Sequence, residues 1–146
     1  MKSRTLLLSL PLLFLLLPFT GCKKDIRDKY TGTWEFATAK VVCLYNNSSE
    51  VISRDTVHYF GKISSGNEEY RLIIQFAQNE EISSNIGQDG VLWLTYPTRY
   101  STCHRCPIGE FEKTKRISMN FYRFFEDNNI HFAEVYHIIG SKKGKK

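Results

Sequence analysis

The sequence predicts an all-β fold, built as an antiparallel sandwich or barrel. Three observations predict it. Aromatic and β-branched residues outnumber strong helix formers in most windows, with ten Phe, eight Tyr and two Trp among 146 residues. Apolar and polar residues alternate in several stretches, which is the period of a half-buried strand. Turn signals rich in Asn, Asp, Ser and Gly recur at intervals of roughly 8–14 residues, with no helical period between them.

Each element has its own warrant. A first strand opens at Tyr30-Thr31-Gly32-Thr33-Trp34 and runs to about Tyr45, with Trp34 and Phe36 alternating with Glu35 and Ala37. Asn46-Asn47-Ser48-Ser49 is a turn. A second strand spans 51–63, with Ile52, Val57, Tyr59 and Ile63 expected inward, and Ser64-Ser65-Gly66-Asn67 closes it. Residues 70–76 are the most apolar run and are expected to form a central strand, followed by a short strand at 80–86. Gln88-Asp89-Gly90 turns the chain into a strand over 91–96, which Pro97 stops. A loop then carries Cys103-His104-Arg105-Cys106-Pro107, and 109–112 form a brief strand. The clearest hairpin comes last. Ile117, Met119 and Phe121 alternate with Ser118, Asn120 and Tyr122, the chain turns at Glu126-Asp127-Asn128-Asn129, and 130–139 return. With neither an internal repeat nor an internal linker, residues 30–146 read as one all-β domain with a basic tail.

Ahead of that domain lie a basic tip, Lys2 and Arg4, and an apolar run over 6–19. A spanning helix needs roughly 20 apolar residues. This run is shorter and is interrupted by Ser9, Pro11 and Pro18, so it reads as a cleaved secretory leader. Thr20-Gly21-Cys22 at its end resembles the lipobox of bacterial lipoproteins, departing from it at Phe19, where an aliphatic is usual. The resemblance implies a signal peptide over 1–21, cleavage before Cys22, and a diacylglycerol and palmitate anchor on that cysteine. Residues 22–29 then form the lipidated cysteine and a charged tether with too little apolar surface to fold alone. Several acyl chains hold a membrane far better than one.

The formal charge is +5, but two of the cations belong to the leader and four lysines lie in the tail Lys142-Lys143-Gly144-Lys145-Lys146. The body is therefore close to neutral, which argues against a nucleic-acid partner. The tail is expected to be solvated, near anionic lipid.

Three segments together, Gly21-Cys22-Lys23-Lys24-Asp25, Asp28-Lys29-Tyr30-Thr31-Gly32-Thr33-Trp34 and Ile139-Gly140-Ser141-Lys142-Lys143, are similar to those of small lipocalin-like (calycin-like) lipoproteins of Bacteroidota. That resemblance implies a single antiparallel meander barrel or half-barrel of about 7–8 strands at the cell envelope. Gly32-Thr33-Trp34 also resembles the Gly-x-Trp motif of lipocalins, whose Trp plugs the closed end and packs against a late Arg. Arg116 and Arg123 are the candidate partners, and plain core is the other reading of Trp34. With Lys23 rather than Asp after the cysteine, and Asp25 the one nearby acid, the resemblance implies the outer membrane, on its periplasmic side.

Once Cys22 is acylated, Cys43, Cys103 and Cys106 remain, in a compartment where disulfides persist. The plain expectation is one structural bridge, from Cys43 to a loop cysteine or from Cys103 to Cys106. A bridge from Cys43 would close about 60 residues and contribute on the order of 4 kcal/mol in the chain-entropy model. A redox Cys-x-x-Cys, its thiolate favoured by His104 and Arg105, lacks the helix start such couples occupy. A c-type haem site fails at Pro107. Zinc would need Cys43 and one of His58, His131 and His137 to join the loop cysteines. His131 and His137 lie nearly 20 Å apart on an extended strand, by about 3.3 Å per residue. No metal or cofactor is expected.

Nor is catalysis. The neighbours in Glu68-Glu69 and Glu80-Glu81 point to opposite faces of a strand. The sequence holds no nucleophile elbow, phosphate loop or His-Glu-x-x-His. Trp34, Trp93, Tyr96, Phe121 and Tyr122 are the residues expected to line a small apolar cavity or to fill the core. The sequence thus points to a membrane-anchored binding or interaction module for a small apolar ligand or an envelope protein. The alternatives are a structural envelope component without a cavity, and a redox or metal protein centred on the loop cysteines. A cavity above roughly 300 Å³ would favour the first. A filled interior with an exposed apolar patch or an unpaired edge would favour the second.

Overall fold

The computed structural model describes residues 24–44, 50–94 and 106–144. After a single 3₁₀ turn, η1 (Ile26–Lys29), come eight strands: β1 (Gly32–Leu44), β2 (Val51–Ser65), β3 (Arg71–Ala77), β4 (Glu80–Ile86), β5 (Val91–Trp93), β6 (Pro107–Glu112), β7 (Arg116–Asp127) and β8 (Ile130–Lys142). Each pairs antiparallel with the next, and β8 returns to β1, closing a meander barrel. The all-β expectation holds, with closure removing the sheet edges only where all eight strands pair; among the described residues, β2 over 51–61 and β7 over 120–127 each have a ladder on one side only.

The strands are unequal, and this shapes the molecule. β1, β2, β7 and β8 are each 12–15 residues long, whereas β3 to β6 run only 3–7. β3 meets β2 only over Lys62–Ser65, and β6 meets β7 only over Gly109–Met119 partners at their lower ends. One half of the barrel is thus an eight-stranded ring. From its other end a four-stranded sheet, in the order β2–β1–β8–β7, rises alone. The ring's outer limit, where β1 begins and β8 ends, is the closed end; the rim from which the four strands rise is the mouth.

The closed half is filled. Trp34, Phe36, Ile74, Leu92, Met119 and Ile138 are fully buried within it. The Trp34 indole N–H donates to the Tyr30 carbonyl at 2.9 Å, so the ring's one polar atom is satisfied while its apolar body plugs the end. Neither candidate arginine is placed as the lipocalin comparison implies: Arg116 pairs with Glu112 at the surface, and Arg123 lies over the Tyr136 ring.

Several expectations need correction. Ile63 is buried, but Ile52 and Val57 are exposed although β2 is formed as expected. Val57 and Tyr59 do share the inward face, opposite Thr38 and Phe36, yet β3 is too short to cover them. Trp93 is also exposed, because Leu92 and Leu94 take the inward positions and strand parity turns Trp93 outward. Tyr122 faces outward for the same reason, between buried Phe121 and half-buried Arg123. The segment 25–29 is no loose tether. Asp25 caps η1 through the Arg27 amide at 2.9 Å, and the Arg27 guanidinium reaches the Gly66 and Glu68 carbonyls at 2.8 and 2.7 Å. At the far hairpin, Asn128 and Asn129 both take left-handed φ (49° and 63°), the pattern of a type I′ turn, which suits the twist of its strands.

One buried group works against the fold. The Thr38 hydroxyl, inward on β1, has no hydrogen-bond partner among the described residues. Thr38→Val keeps the shape and removes the desolvated hydroxyl, so it is expected to stabilise the domain by about 1 kcal/mol. Urea midpoints of the two proteins, at equal m-value, check this.

Candidate binding site at the mouth of the barrel

The inward-facing residues change character at the mouth. Below it the inward positions of β1, β7 and β8 are apolar apart from Thr38; at the mouth they become Lys40, Arg123 and Glu134. Strand register brings these together: Lys40 is opposite Tyr136, and Arg123 is opposite Glu134. Glu134 is 5% exposed, so its carboxylate has little water to stabilise it. Instead it accepts hydrogen bonds from Arg123 Nε at 2.6 Å and from Tyr136 Oη at 2.9 Å, and it pairs with Lys40 Nζ at 2.6 Å. A second Arg123 nitrogen, Nη2, closes the fork on the same oxygen.

The electrostatics follow from this packing. Burial alone would raise the Glu134 carboxyl, but the bonds from Lys40, Tyr136 and Arg123 outweigh it and hold the group below its ordinary value. Burial pushes the Tyr136 phenol far up, and its bond to Glu134 adds to the effect, so the phenol stays protonated and donating. Glu80, at the start of β4, faces the same cluster and acts on both Tyr136 and Arg123. Beneath lies an aromatic floor. Phe121 stacks on Tyr136 with centroids 5.0 Å apart, and Phe76 meets both rings edge-on.

Beside this cluster an open cleft of about 410 Å³ is lined by Arg123, Phe124, Phe125 and Glu134. Phe125 stacks on Phe132 across the hairpin with centroids 4.9 Å apart. Exposed apolar side chains gather on the same four strands, among them Val51 and Ile52 on β2, Phe124 and Phe125 on β7, and Ile130 and Val135 on β8. A second depression, of about 550 Å³, lies at the closed end between Lys24, Asp25, Ile26, Glu69, Tyr70 and Gln88.

The chain matches no protein-family model, no curated protein and no solved structure.

Of the residues singled out in the sequence, Trp34 is core and Phe121 forms part of the floor, while Trp93 lies on the outer surface. Tyr96, Cys22 and Cys103 lie outside the described residues. Cys43 is a free, half-buried thiol on the outward side of β1, so the bridge that would tie β1 to the loop is not formed. Cys106 is disulfide-bonded. Its carbonyl accepts from the Leu94 amide at 3.1 Å, which closes the base of the loop beside the mouth. His131 pairs with Glu126 and His137 with Asn120, both on the outward face. No group of three or more His, Cys, Asp or Glu side chains able to hold a metal occurs among the described residues.

The Lys40–Arg123–Glu134–Tyr136 cluster escaped sequence reasoning. Its signal was present as three ionisable residues at inward parity on three strands, but only the register between those strands joins them.

Proposed function

We propose that this chain is an exported envelope lipoprotein, acylated at Cys22, whose β-domain is a non-catalytic interaction module that binds its partner at the mouth. The observation that carries the reading is the contrast between the two halves of the barrel. The closed half is filled by its own side chains, while the mouth joins a buried ionic cluster to an open aromatic cleft. A filled interior argues against a small apolar ligand enclosed as in a lipocalin, and the exposed apolar side chains above the mouth favour an envelope protein.

A non-catalytic role is supported by the cluster's chemistry. Its carboxylate is held low and its phenol high, each answering the other, and neither is poised near neutral pH as a general acid or base would be. The build resembles that of lipocalin-like lipoproteins of Bacteroidota, a resemblance supported by the two ends of the sequence and by the meander barrel. With Cys22 acylated and Cys43 free, Cys103 is the partner assigned to Cys106.

The test takes two readings on protein extracted from its own membrane. Intact mass should begin at an acylated Cys22, with one alkylatable thiol before reduction and three after it. A photo-crosslinking residue placed at Phe125 should give a discrete protein adduct that the same probe at Arg54 does not. Three free thiols on an unacylated chain would overturn the anchor. A Phe125 probe that labels nothing in the intact envelope would overturn the mouth as the binding surface.

A further inference from the structure

Three basic segments far apart in the sequence meet at the closed end. They are Lys29 at the end of η1, the turn carrying Lys113 and Lys115 with Arg116 opening β7, and Lys142-Lys143 where β8 ends. Hydrogen bonds hold them together. The Lys142 amide donates to the Lys115 carbonyl at 2.8 Å, its ammonium donates to the Lys29 carbonyl at 2.8 Å, and the Lys143 amide donates to the Thr33 carbonyl at 3.0 Å. Asp28, Glu35 and Glu112 lie among these six cations, Glu35 paired with Lys143 and Glu112 with Arg116, so this side of the closed end keeps an excess of positive charge, whereas around the β2–β3 turn Lys24, Arg27 and Arg71 are offset by Asp25, Glu68 and Glu69. Lys145 and Lys146 follow in the sequence, outside the described residues.

The place of this surface is set by the other terminus. The structured chain starts at the same end, since η1 is pinned to the β2–β3 turn through Arg27. Only Lys23, Lys24 and Asp25 separate Cys22 from Ile26. Four Cα steps reach no further than about 14 Å. A membrane anchor on Cys22 would therefore hold the closed end close to the headgroups, near enough for its cations to act across a Debye length of about 8 Å.

We infer that the closed end is a docking face for anionic lipid headgroups, which sets the barrel upright with its mouth turned away from the bilayer. The orientation rests on the anchor proposed above; the attraction of this face for anionic lipid does not. A tether alone would let the domain tumble against the membrane. A second, electrostatic attachment around the tether fixes which end faces outward, and it frees the mouth to meet a protein.

The test uses the mature chain, residues 22–146, with Cys22→Ser, a change that touches no element of the fold because all of them begin at or after Ile26. Binding is measured by co-sedimentation with phosphatidylcholine vesicles, with and without phosphatidylglycerol. The chain should bind the anionic vesicles alone, and about 0.5 M salt should release it. Each basic charge removed should weaken binding roughly five-fold, so Lys113→Ala/Lys115→Ala should lose about 25-fold. Arg54→Ala, on the outer face of β2 above the mouth, removes a cation of equal charge and should bind as the parent does. Indifference to lipid charge, or an Arg54→Ala loss as large as that of Lys115→Ala, would overturn the inference. Since the acyl chain is read separately by mass on the native protein, an acylated lipoprotein whose Cys22→Ser form ignores anionic vesicles would sink this docking face and leave the anchor standing.

Discussion

Replacing Glu134 with alanine is expected to destabilise the domain by about 3 kcal/mol, seen as a lower urea midpoint at neutral pH. The carboxylate is nearly fully buried and is the shared acceptor for Arg123, Lys40 and the Tyr136 hydroxyl. Its removal takes from the guanidinium and the phenol their shared buried acceptor and leaves Glu80 as the carboxylate that acts on both. Breaking a fully buried pair from one side costs about 3–5 kcal/mol, and the lower figure applies because the Lys40 and Arg123 side chains are 30% and 24% exposed and reach water. The double variant Arg123→Met/Glu134→Leu removes the two more buried charges, leaves Lys40 to turn to water and keeps much of the volume, so it should recover most of the loss. Should Glu134→Ala melt like the parent, or the double variant fare worse than the single, the cluster is not the coupled unit described.

The same carboxylate sets an acid limb on stability. Its pKa in the folded state lies below the ordinary glutamate value of 4.5, so the folded state favours the ionised form. Its contribution is therefore fully present above pH 4.5 and is lost as pH falls through the lower, folded value. In Arg123→Met/Glu134→Leu that share of the acid limb should vanish, leaving a shallower fall in urea midpoint below pH 4.5 than the parent shows. An ionic cluster that apolar residues can replace at little cost to the fold has a reason for its place other than stability. The binding surface proposed at the mouth supplies one, since the buried Glu134 and Tyr136 hold Lys40 and Arg123, which do reach water, beside two phenylalanines.

How much of this was legible in the sequence depends on whether a property belongs to one strand or to its neighbours. The alternations at Trp34–Phe36 and at Ile117–Met119–Phe121 belong to single strands, and both are buried as their pattern requires. Burial of Val57 does not belong to β2 alone. It depends on the length of β3, which ends before reaching it, so a correct parity still led to a wrong expectation. Trp93 failed differently: the weight of an aromatic side chain suggested the interior, although Leu92 and Leu94 on either side had already claimed that face. The mouth cluster needed two registers at once, Lys40 on Tyr136 and Arg123 on Glu134, and no single-strand pattern carries a register.

The point where the ring ends and the four-stranded sheet begins gives the second large expected effect. Gly61→Ala should cost about 3 kcal/mol and lower the melting temperature by roughly 12 °C. Gly61 sits on β2 opposite Trp34, one residue before the Lys62–Gln75 rung with which β3 joins. A Cβ there would stand 1.9 Å from the Gln75 carbonyl oxygen and 2.9 Å from the Phe36 ring. The oxygen is backbone, and Gln75 is also held on its other side by β4 next to a bulge, so it cannot withdraw without loosening both ladders. Phe36 is fully buried and has no empty space to enter. The substitution therefore pries β3 from β2 where the barrel closes, and it should expose the floor of the mouth as well as lower stability. Gly109→Ala is the matching change on the other flank, where a Cβ would stand 2.1 Å from the Ser118 carbonyl oxygen. Gly144→Ala, with nothing within 4 Å, should leave the melt unchanged and serves as the control. If Gly61→Ala melts with the control, β2 does not leave the ring at this residue, and the division of the barrel into a filled half and an open mouth loses its boundary.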